Sequence, residues 1–209
     1  MAGAFITFEG TDGAGKSTQA RRLAQRLRVR GHDVVLTREP GGSPFAERIR
    51  TALLGEAGKE LTPSEQALLF AAARADHVES VIAPALAAGS IVICDRFTDS
   101  TRAYQGSAGA PDALLKSLET VAVGKTTPDL TVILDLPPEE GLKRAAARQS
   151  LDRFERDAVA TLEARRAAYL RIAALHPRRC LVVDGTRSPD EIAARILELV
   201  DQRLPQVAA

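Results

Sequence analysis

The stretch Phe8-Glu9-Gly10-Thr11-Asp12-Gly13-Ala14-Gly15-Lys16-Ser17-Thr18 decides how this chain folds. It fits the pattern G-x-x-x-x-G-K-[ST], it follows a short apolar run, and it opens a helical pattern. A loop in this position turns consecutive backbone N–H groups and a helix N-terminus towards phosphate oxygens. The residues that we expect to contact a nucleotide are Gly10, Thr11, Asp12, Gly13, Ala14, Gly15, Lys16, Ser17 and Thr18.

Two side chains of this loop have predicted chemical roles. Lys16 is expected to reach the outer phosphates, and the Ser17 hydroxyl is expected to ligate Mg²⁺. The glycines at 10, 13 and 15 do not fit the G-x-G-x-x-G pattern of dinucleotide-binding folds. By itself the loop leaves open a kinase, a GTPase, an ATPase motor or a nucleotide switch.

The rest of the chain alternates short apolar runs with longer helical patterns, which is typical of a parallel sheet with crossover helices. The runs are nearly all apolar, as expected when helices cover both faces of the sheet. Helix starts are predicted at the capping boxes that begin at Thr62 and Ser188, and Pro84 is expected to kink a helix. The predicted strands are 4–8, 34–37, 91–94, 131–134 and 181–183.

Composition excludes several classes of protein. The 209 residues include 28 Lys and Arg against 27 Asp and Glu, so the chain lacks the basic excess of a general nucleic-acid binder. Its two cysteines, Cys94 and Cys180, lie in apolar runs and indicate core thiols in a reducing compartment. No apolar run approaches the ~18 residues of a membrane span, and no basic leader precedes the first strand. We therefore expect one cytoplasmic domain over residues 1–209, with no membrane and no nucleic-acid polymer as a partner.

Charged residues follow the second and third predicted strands. Arg38 begins the turn Arg38-Glu39-Pro40-Gly41-Gly42, and because the ends of parallel strands converge, it should lie near the phosphate loop. An ordinary turn with an exposed arginine is the alternative. Asp95, at the end of an apolar run, is expected to hold Mg²⁺ through water. Arg96 beside it should point at the same place, unless it only forms an ion pair with Asp95 or Glu9.

Phe70 and Arg74 are four residues apart in a helical pattern and share one helix face. An aromatic ring next to a hydrogen-bond donor suits a flat nucleobase. A core phenylalanine beside a surface arginine is equally common, so this pair does not choose between the two.

Taken together, these motifs closely resemble bacterial thymidylate kinase. The resemblance covers about residues 5–199, and its most specific parts are the turn from Arg38 to Gly42 and the segment Ala103-Tyr104-Gln105-Gly106. It implies a three-layer α/β P-loop kinase fold with a five-stranded parallel sheet in the order 2-3-1-4-5. It also implies a short arginine-bearing lid near 144–157, a homodimer, and transfer of a phosphoryl group from ATP to dTMP, with Mg²⁺, to give dTDP for dTTP synthesis.

The resemblance also implies roles for individual residues. Asp12 would accept a hydrogen bond from the 3′-hydroxyl of dTMP, and Arg38 and Arg96 would hold its phosphate. Phe70 would stack on thymine, and Arg74 would donate to a thymine carbonyl. Tyr104 would crowd the 2′-position of the sugar, and Ser100 and Gln105 would lie near the same pocket.

Some thymidylate kinases carry an arginine in the phosphate loop, where this chain has Gly13. The stretch from Arg144 to Arg156 resembles the lid of the class that supplies its arginines there, so we expect Arg153 first, and Arg148, to close over the ATP phosphates. A solvated helix surface with ion pairs is the alternative. Thr186 is in the loop that borders adenine in the resembling family, although it could equally belong to a helix N-cap.

Two other functions compete with dTMP phosphorylation. The nearest is a kinase for another nucleotide, a deoxynucleoside or a small metabolite. The more distant is a non-catalytic nucleotide switch, against which the chain has no Asn-Lys-x-Asp guanine signature.

Overall fold

The computed structural model describes residues 3–146 and 159–208, and its centre is a five-stranded, all-parallel sheet. The strand order β2-β3-β1-β4-β5 confirms the predicted order. Each strand is longer than predicted because polar residues at its ends also join the sheet. The strands are β1 Ala4–Gly10, β2 Val34–Arg38, β3 Ile91–Asp95, β4 Leu130–Asp135 and β5 Cys180–Asp184.

Helices connect the strands, and two π-helical turns, Val78–Ile82 and Arg102–Gly106, interrupt them. Of the helices in the described ranges, none has both the length and the apolar character that crossing a bilayer requires. The helices are α1 Lys16–Val29, α2 Pro44–Leu54, α3 Glu56–Lys59, α4 Pro63–His77, α5 Ala83–Ala87, α6 Thr98–Thr101, α7 Asp112–Val123, α8 Pro138–Ala146, α9 Val159–Leu175, α10 Pro189–Arg203 and α11 Pro205–Ala208.

The helix signals in the sequence work as predicted. Thr62 and Ser188 both form complete capping boxes, at the starts of α4 and α10. Pro84 lies in the first turn of α5, directly after the first π-helical turn. The long helical segment is therefore interrupted where proline removes a backbone donor.

Two apolar layers enclose the sheet because successive strand residues point to opposite faces. Ile6 and Ile93 pack with α1 and α10 on one face, whereas Phe5 and Val92 pack with α4 and α7 on the other. Helix α9 covers the second face near β4 and β5. Burial on both faces explains the nearly continuous apolar runs.

The strand register brings polar residues together at the carboxyl edge of the sheet. Asp95 of β3 is level with Phe8 of β1 on one side and with Arg38 of β2 on the other. Gly10, at the end of β1, is level with Leu134 of β4. The phosphate loop and the turn after β2 therefore start side by side, at the edge where ligands bind in such sheets.

Candidate active site

The phosphate loop connects β1 to α1 and folds around its own lysine. Lys16 is 6% exposed, and its Nζ donates to the Thr11 carbonyl oxygen at 2.7 Å. Burial, and secondly the charge of Arg96, lower the pKa of Lys16 to about 8. Phosphate oxygens bound at this loop would take the place of the Thr11 carbonyl oxygen as acceptors for Lys16. Their negative charge would raise the pKa of Lys16 again and favour its charged form.

Ser17 and Asp95 form a paired oxygen site at the end of the loop. The Ser17 hydroxyl donates to Asp95 Oδ2. The other carboxylate oxygen, Oδ1, is buried and accepts no hydrogen bond from residues 3–146 or 159–208. A hydroxyl beside a carboxylate with a spare lone pair fits a hydrated Mg²⁺, which prefers oxygen ligands and keeps several waters.

A cavity of about 570 Å³ opens next to this loop. Its walls come from the loop itself, the turn after β2, α2, α4, α6 and the second π-helical turn. Its lining combines apolar and aromatic side chains with a few charged ones, which is typical of small-molecule sites. Its lining includes the predicted residues Asp12, Phe70, Arg74, Arg96, Ser100, Tyr104 and Gln105.

Arg96 and Asp12 form an ion pair on the loop side of this cavity. The Tyr104 hydroxyl donates to the other oxygen of Asp12 at 2.6 Å, and the Arg96 guanidinium lies 4.9 Å from the centre of the Tyr104 ring. Burial alone would raise the pKa of Asp12, but Arg96, Lys16 and Tyr104 outweigh it and hold that pKa below its ordinary value. The ion-pair partner of Arg96 is therefore Asp12. The alternative interpretation, an ion pair with Asp95 or Glu9, is not what the structure shows.

The backbone of Arg96 is strained. Its φ is +71°, the one positive φ of a non-glycine residue in the described ranges. Its N–H donates to the Phe8 carbonyl oxygen at 2.8 Å, which ties it to β1. Strain of this kind persists where the surrounding structure holds a functional side chain in place.

Glu9 lies beneath Arg96, fully buried. One oxygen accepts from the Phe97 N–H at 2.7 Å and the other from the Ser100 hydroxyl at 2.6 Å. Burial, and secondly the charge of Asp99, raise the pKa of Glu9 to about 7. Glu9 thus anchors the start of α6, which supplies Ser100 to the cavity.

Arg74 lies at the far end of the cavity, 4% exposed. Its Nε donates to Glu39 at 2.7 Å, and its Nη2 donates to the Phe97 carbonyl and to the Thr101 hydroxyl, each at 3.1 Å. Phe70, one turn earlier on α4, is half-buried at the same wall. The two residues share a helix face, as predicted, but Arg74 is a buried residue and not a surface one.

Arg38 does not line this cavity. It contributes to a neighbouring groove together with Ser17, Thr37 and Asp95. Its side chain is 57% exposed and pairs with Glu47 at 3.0 Å. The structure therefore separates Arg38 from Arg96, although both lie at the same edge of the sheet.

Comparisons with known proteins identify the family of this chain. The family model described as thymidylate kinase matches residues 8–196. The chain belongs to the thymidylate kinase family. It is 55% identical to the thymidylate kinase of Caulobacter vibrioides, covering 97% of this chain and 98% of that one, and 53% identical to the enzyme of a Bradyrhizobium species, covering 97% and 91%. The crystal structure of the thymidylate kinase of Ehrlichia chaffeensis superposes with a TM-score of 0.77 at 33% identity, over 96% of this chain and 99% of the other.

The family resemblance that the motifs suggested is thus confirmed, and the structure adds a residue that the motifs did not reveal. Arg50 of α2 lines the cavity, and its Nη1 donates to the Pro40 carbonyl oxygen at 2.8 Å. A signal was present, because Arg50 lies four residues from Ala46 and three from Leu53, both buried. An arginine on the apolar face of a helix requires a polar partner or a ligand in the interior. Here Arg50 faces the cavity.

The ATP-side predictions have different outcomes. Arg148 and Arg153 lie outside the described residues. Thr186 lies in the loop between β5 and α10, where its N–H and hydroxyl both donate to Asp184 Oδ1, at 2.9 and 2.6 Å. This local turn precedes the N-cap Ser188, so the adenine role of Thr186 stays a prediction.

Proposed function

We propose that this chain transfers the γ-phosphoryl group of ATP to dTMP, giving ADP and dTDP. Family membership supports the activity. The structural observation that supports it most directly is that one ion pair, Arg96–Asp12, belongs both to the phosphate loop and to the acceptor cavity. A donor phosphate in the loop and an acceptor in the cavity would then meet beside a single guanidinium group.

On the donor side, the loop amides and Lys16 would bind the ATP phosphates. Ser17 and Asp95 would hold Mg²⁺, which supplies charge neutralisation when it is bound. The arginines Arg153 and Arg148 are proposed to close over the phosphates from a lid at about 144–157. Lid closure would also exclude water, which otherwise competes with dTMP as the acceptor.

On the acceptor side, we assign the dTMP phosphate to Arg96 and Arg50, since both line the cavity. Arg38 would act at the mouth of the neighbouring groove, after release from Glu47. Asp12 would accept from the 3′-hydroxyl, Tyr104 would disfavour a 2′-hydroxyl, and Phe70 and Arg74 would hold the base near Gln105. No general base is required, because the acceptor phosphate is already an anion at neutral pH.

We also propose that the enzyme is one domain over residues 1–209 and acts as a cytoplasmic homodimer. Both cysteines are free and buried, which suits a reducing compartment. Helical segments 46–53 and 68–81 are proposed to form the dimer interface. The exposed Leu68 lies within the second of these segments.

An acceptor screen tests the proposed activity. With MgATP as donor, dTMP should be phosphorylated with the highest kcat/KM among dTMP, dUMP, UMP, CMP and AMP. A higher kcat/KM for another monophosphate would identify a different nucleotide kinase. Preference for GTP over ATP, without turnover that depends on an acceptor, would identify a nucleotide switch.

Lys16→Ala tests the division between donor and acceptor sites. Because Lys16 is assigned to the donor phosphates and does not line the dTMP cavity, kcat/KM should fall by roughly 10²–10⁴-fold while the dTMP Kd changes less than about threefold. Steady-state kinetics and calorimetric titration with dTMP measure the two quantities. A loss of dTMP binding in Lys16→Ala would contradict the separation of the sites.

A further inference from the structure

A chain of buried polar side chains lies behind Arg74 and runs from α4 to the end of β2. It begins at His77, the last residue of α4, which has no exposed surface. His77 Nδ1 is 3.0 Å from Glu39 Oε1, and Glu39 Oε2 accepts from Arg74 Nε at 2.7 Å. His77 Nε2 is 2.8 Å from the Thr37 hydroxyl oxygen. The chain therefore links Thr37 of β2 and Glu39 of the turn after it to Arg74, which lines the cavity.

The chemistry of Glu39 fixes the tautomer of His77. An ionised carboxylate only accepts hydrogen bonds, so Nδ1 must carry a proton, and the Thr37 hydroxyl can serve Nε2 as donor or acceptor. Glu39 is 5% exposed, so water cannot readily replace either of its partners. His77 is therefore the group that holds one oxygen of Glu39 while Arg74 holds the other.

The turn after β2 is built around this imidazole. Gly42 has a φ of +88°, and a Cβ at this position would lie 2.3 Å from His77 Nε2 and 2.6 Å from the Thr37 hydroxyl oxygen. A side chain at residue 42 would therefore displace the imidazole. Pro40 of the same turn lines the acceptor cavity. The position of the turn and the position of His77 thus depend on each other.

The orientation of Arg74 is set by these contacts. Its Nε is held by Glu39 and its Nη2 by Phe97 and Thr101, while Nη1 has no hydrogen-bond partner among residues 3–146 and 159–208. Nη1 can therefore donate to a ligand in the cavity. Without a fixed Glu39, the guanidinium would lose its contact at Nε and be held only through Nη2, so binding of the base would have to restore its orientation.

We propose that His77 is a positioning residue for the acceptor base: it holds Glu39 and, through Glu39, fixes the Arg74 guanidinium in the cavity wall. The inference rests on the proposed function, because it assigns the cavity to the dTMP base. It adds a specificity-supporting residue that makes no contact with either substrate.

Two substitutions of similar polarity separate positioning from simple packing. In His77→Asn the side-chain amide can take the place of Nδ1 and donate to Glu39, whereas in His77→Gln the amide lies near the former Nε2. We expect the KM for dTMP to stay within about threefold of wild type in His77→Asn and to rise about tenfold in His77→Gln. The KM for ATP should not change in either variant. KM does not depend on the fraction of enzyme that is folded, so partial unfolding would not produce this pattern.

Asp76→Ala is the matched control. Asp76 precedes His77 on α4 and accepts from the Ser43 hydroxyl at the start of α2, and it has no hydrogen bond to Glu39 or Arg74. We expect Asp76→Ala to lower the melting temperature and to leave the KM for dTMP unchanged. If the KM for dTMP rose equally in Asp76→Ala and in His77→Gln, His77 would act only through the packing of α4, and the proposal would be wrong.

A double-mutant cycle with Arg74→Ala completes the test. If His77 acts through Arg74, the His77→Gln change should alter the KM for dTMP less than about twofold once Arg74 is absent. If the two substitutions raised the KM for dTMP by factors that multiply in the double variant, the two residues would act independently and the proposal would be wrong. The wild-type enzyme is assayed first with dTMP: absence of turnover there would refute the proposed function, whereas turnover with a multiplicative cycle would refute only the role of His77.

Discussion

Glu9 shows how one buried residue can support a site without touching a substrate. It is fully buried, and its carboxyl group holds the Phe97 N–H and the Ser100 hydroxyl in place. Ser100 in turn accepts from Arg96 Nη1 at 3.1 Å. Arg96 is therefore supported, through Ser100, by Glu9, whose charged form is disfavoured by burial. For this reason the free energy of unfolding should depend on pH.

Glu9→Gln should change how stability depends on pH. Burial raises the folded-state pKa of Glu9 from 4.5 to about 7, so between these values the folded chain binds more protons than the unfolded chain. The free energy of unfolding of the wild type should then fall as pH rises through this window, by at most about 1.4 kcal/mol per pH unit, and level off above it. Glutamine has no such proton, so the difference in stability between wild type and variant should shift with pH. Urea unfolding at pH 5, 6, 7 and 8 measures it, and parallel profiles would contradict the raised pKa.

At the scale of elements, the backbone of α8 closely approaches the backbone of the phosphate loop at two glycines. A Cβ at Gly13 would lie 2.5 Å from the Gly141 carbonyl oxygen, and a Cβ at Gly141 would lie 2.8 Å from the Asp12 carbonyl oxygen. Gly13 also has a φ of +80°. This contact leaves no space beside residue 13 for a side chain. With glycine at that position the loop supplies Lys16 but no arginine, and the proposed lid arginines would add positive charge next to the transferred phosphoryl group.

Gly141→Ala tests this close approach. Alanine in place of glycine inside a helix ordinarily stabilises it by up to about 1 kcal/mol. Here the added methyl group should push against the loop and destabilise the protein by about 1–3 kcal/mol, with an increased KM for ATP. Glu139→Ala, at an exposed position of the same helix, is the control and should leave both quantities nearly unchanged. A stabilised Gly141→Ala variant would show that α8 and the loop are not packed this tightly.

For the whole molecule, the proposed homodimer requires a surface that can meet a second subunit. Helices cover both faces of the sheet, and the two proposed segments belong to α2, α4 and the π-helical turn after α4. Leu68 of α4 is 49% exposed and Phe45 of α2 is 41% exposed, next to or within the two proposed segments. Large apolar side chains that stay exposed on the helices of a proposed interface are the first positions to test for association.

Leu68→Glu should dissociate the proposed homodimer. Burying a charge in an apolar interface costs at least about 2 kcal/mol, which corresponds to a dimer Kd roughly thirtyfold higher. Sedimentation equilibrium of both proteins over a range of concentrations measures this change. Val29→Glu is the control, since Val29 is 82% exposed on α1, on the opposite face of the sheet, and should not alter association. A monomeric wild type, or an equal effect of both variants, would contradict the proposed interface.

Features that depend on neighbours in the chain could be predicted from the sequence. Five apolar runs became the five strands, both capping boxes formed, and the glycine-rich stretch became a loop between a strand and a helix. Seven residues predicted for the acceptor site line one cavity. Asp12 and Arg96 meet there because they follow the aligned strands β1 and β3, whereas the others are brought to the cavity by the packing of helical segments. The strand order came from the family resemblance and not from periodicity, since periodicity does not say which strands are neighbours.

Only the tertiary structure decided which polar residues are buried, and with which partners. Arg50 and His77 look like ordinary polar residues on helices, yet one faces the cavity and the other supports Glu39, because α2 and α4 pack against the turn after β2. Arg38 was expected near the phosphate loop, and it shares a groove with Ser17 of that loop, but there it pairs with Glu47 and does not line the cavity of Arg96. The physical reason is that local preferences and periodicity act over a few residues, whereas burial and ion pairing depend on segments that folding brings together from distant parts of the chain.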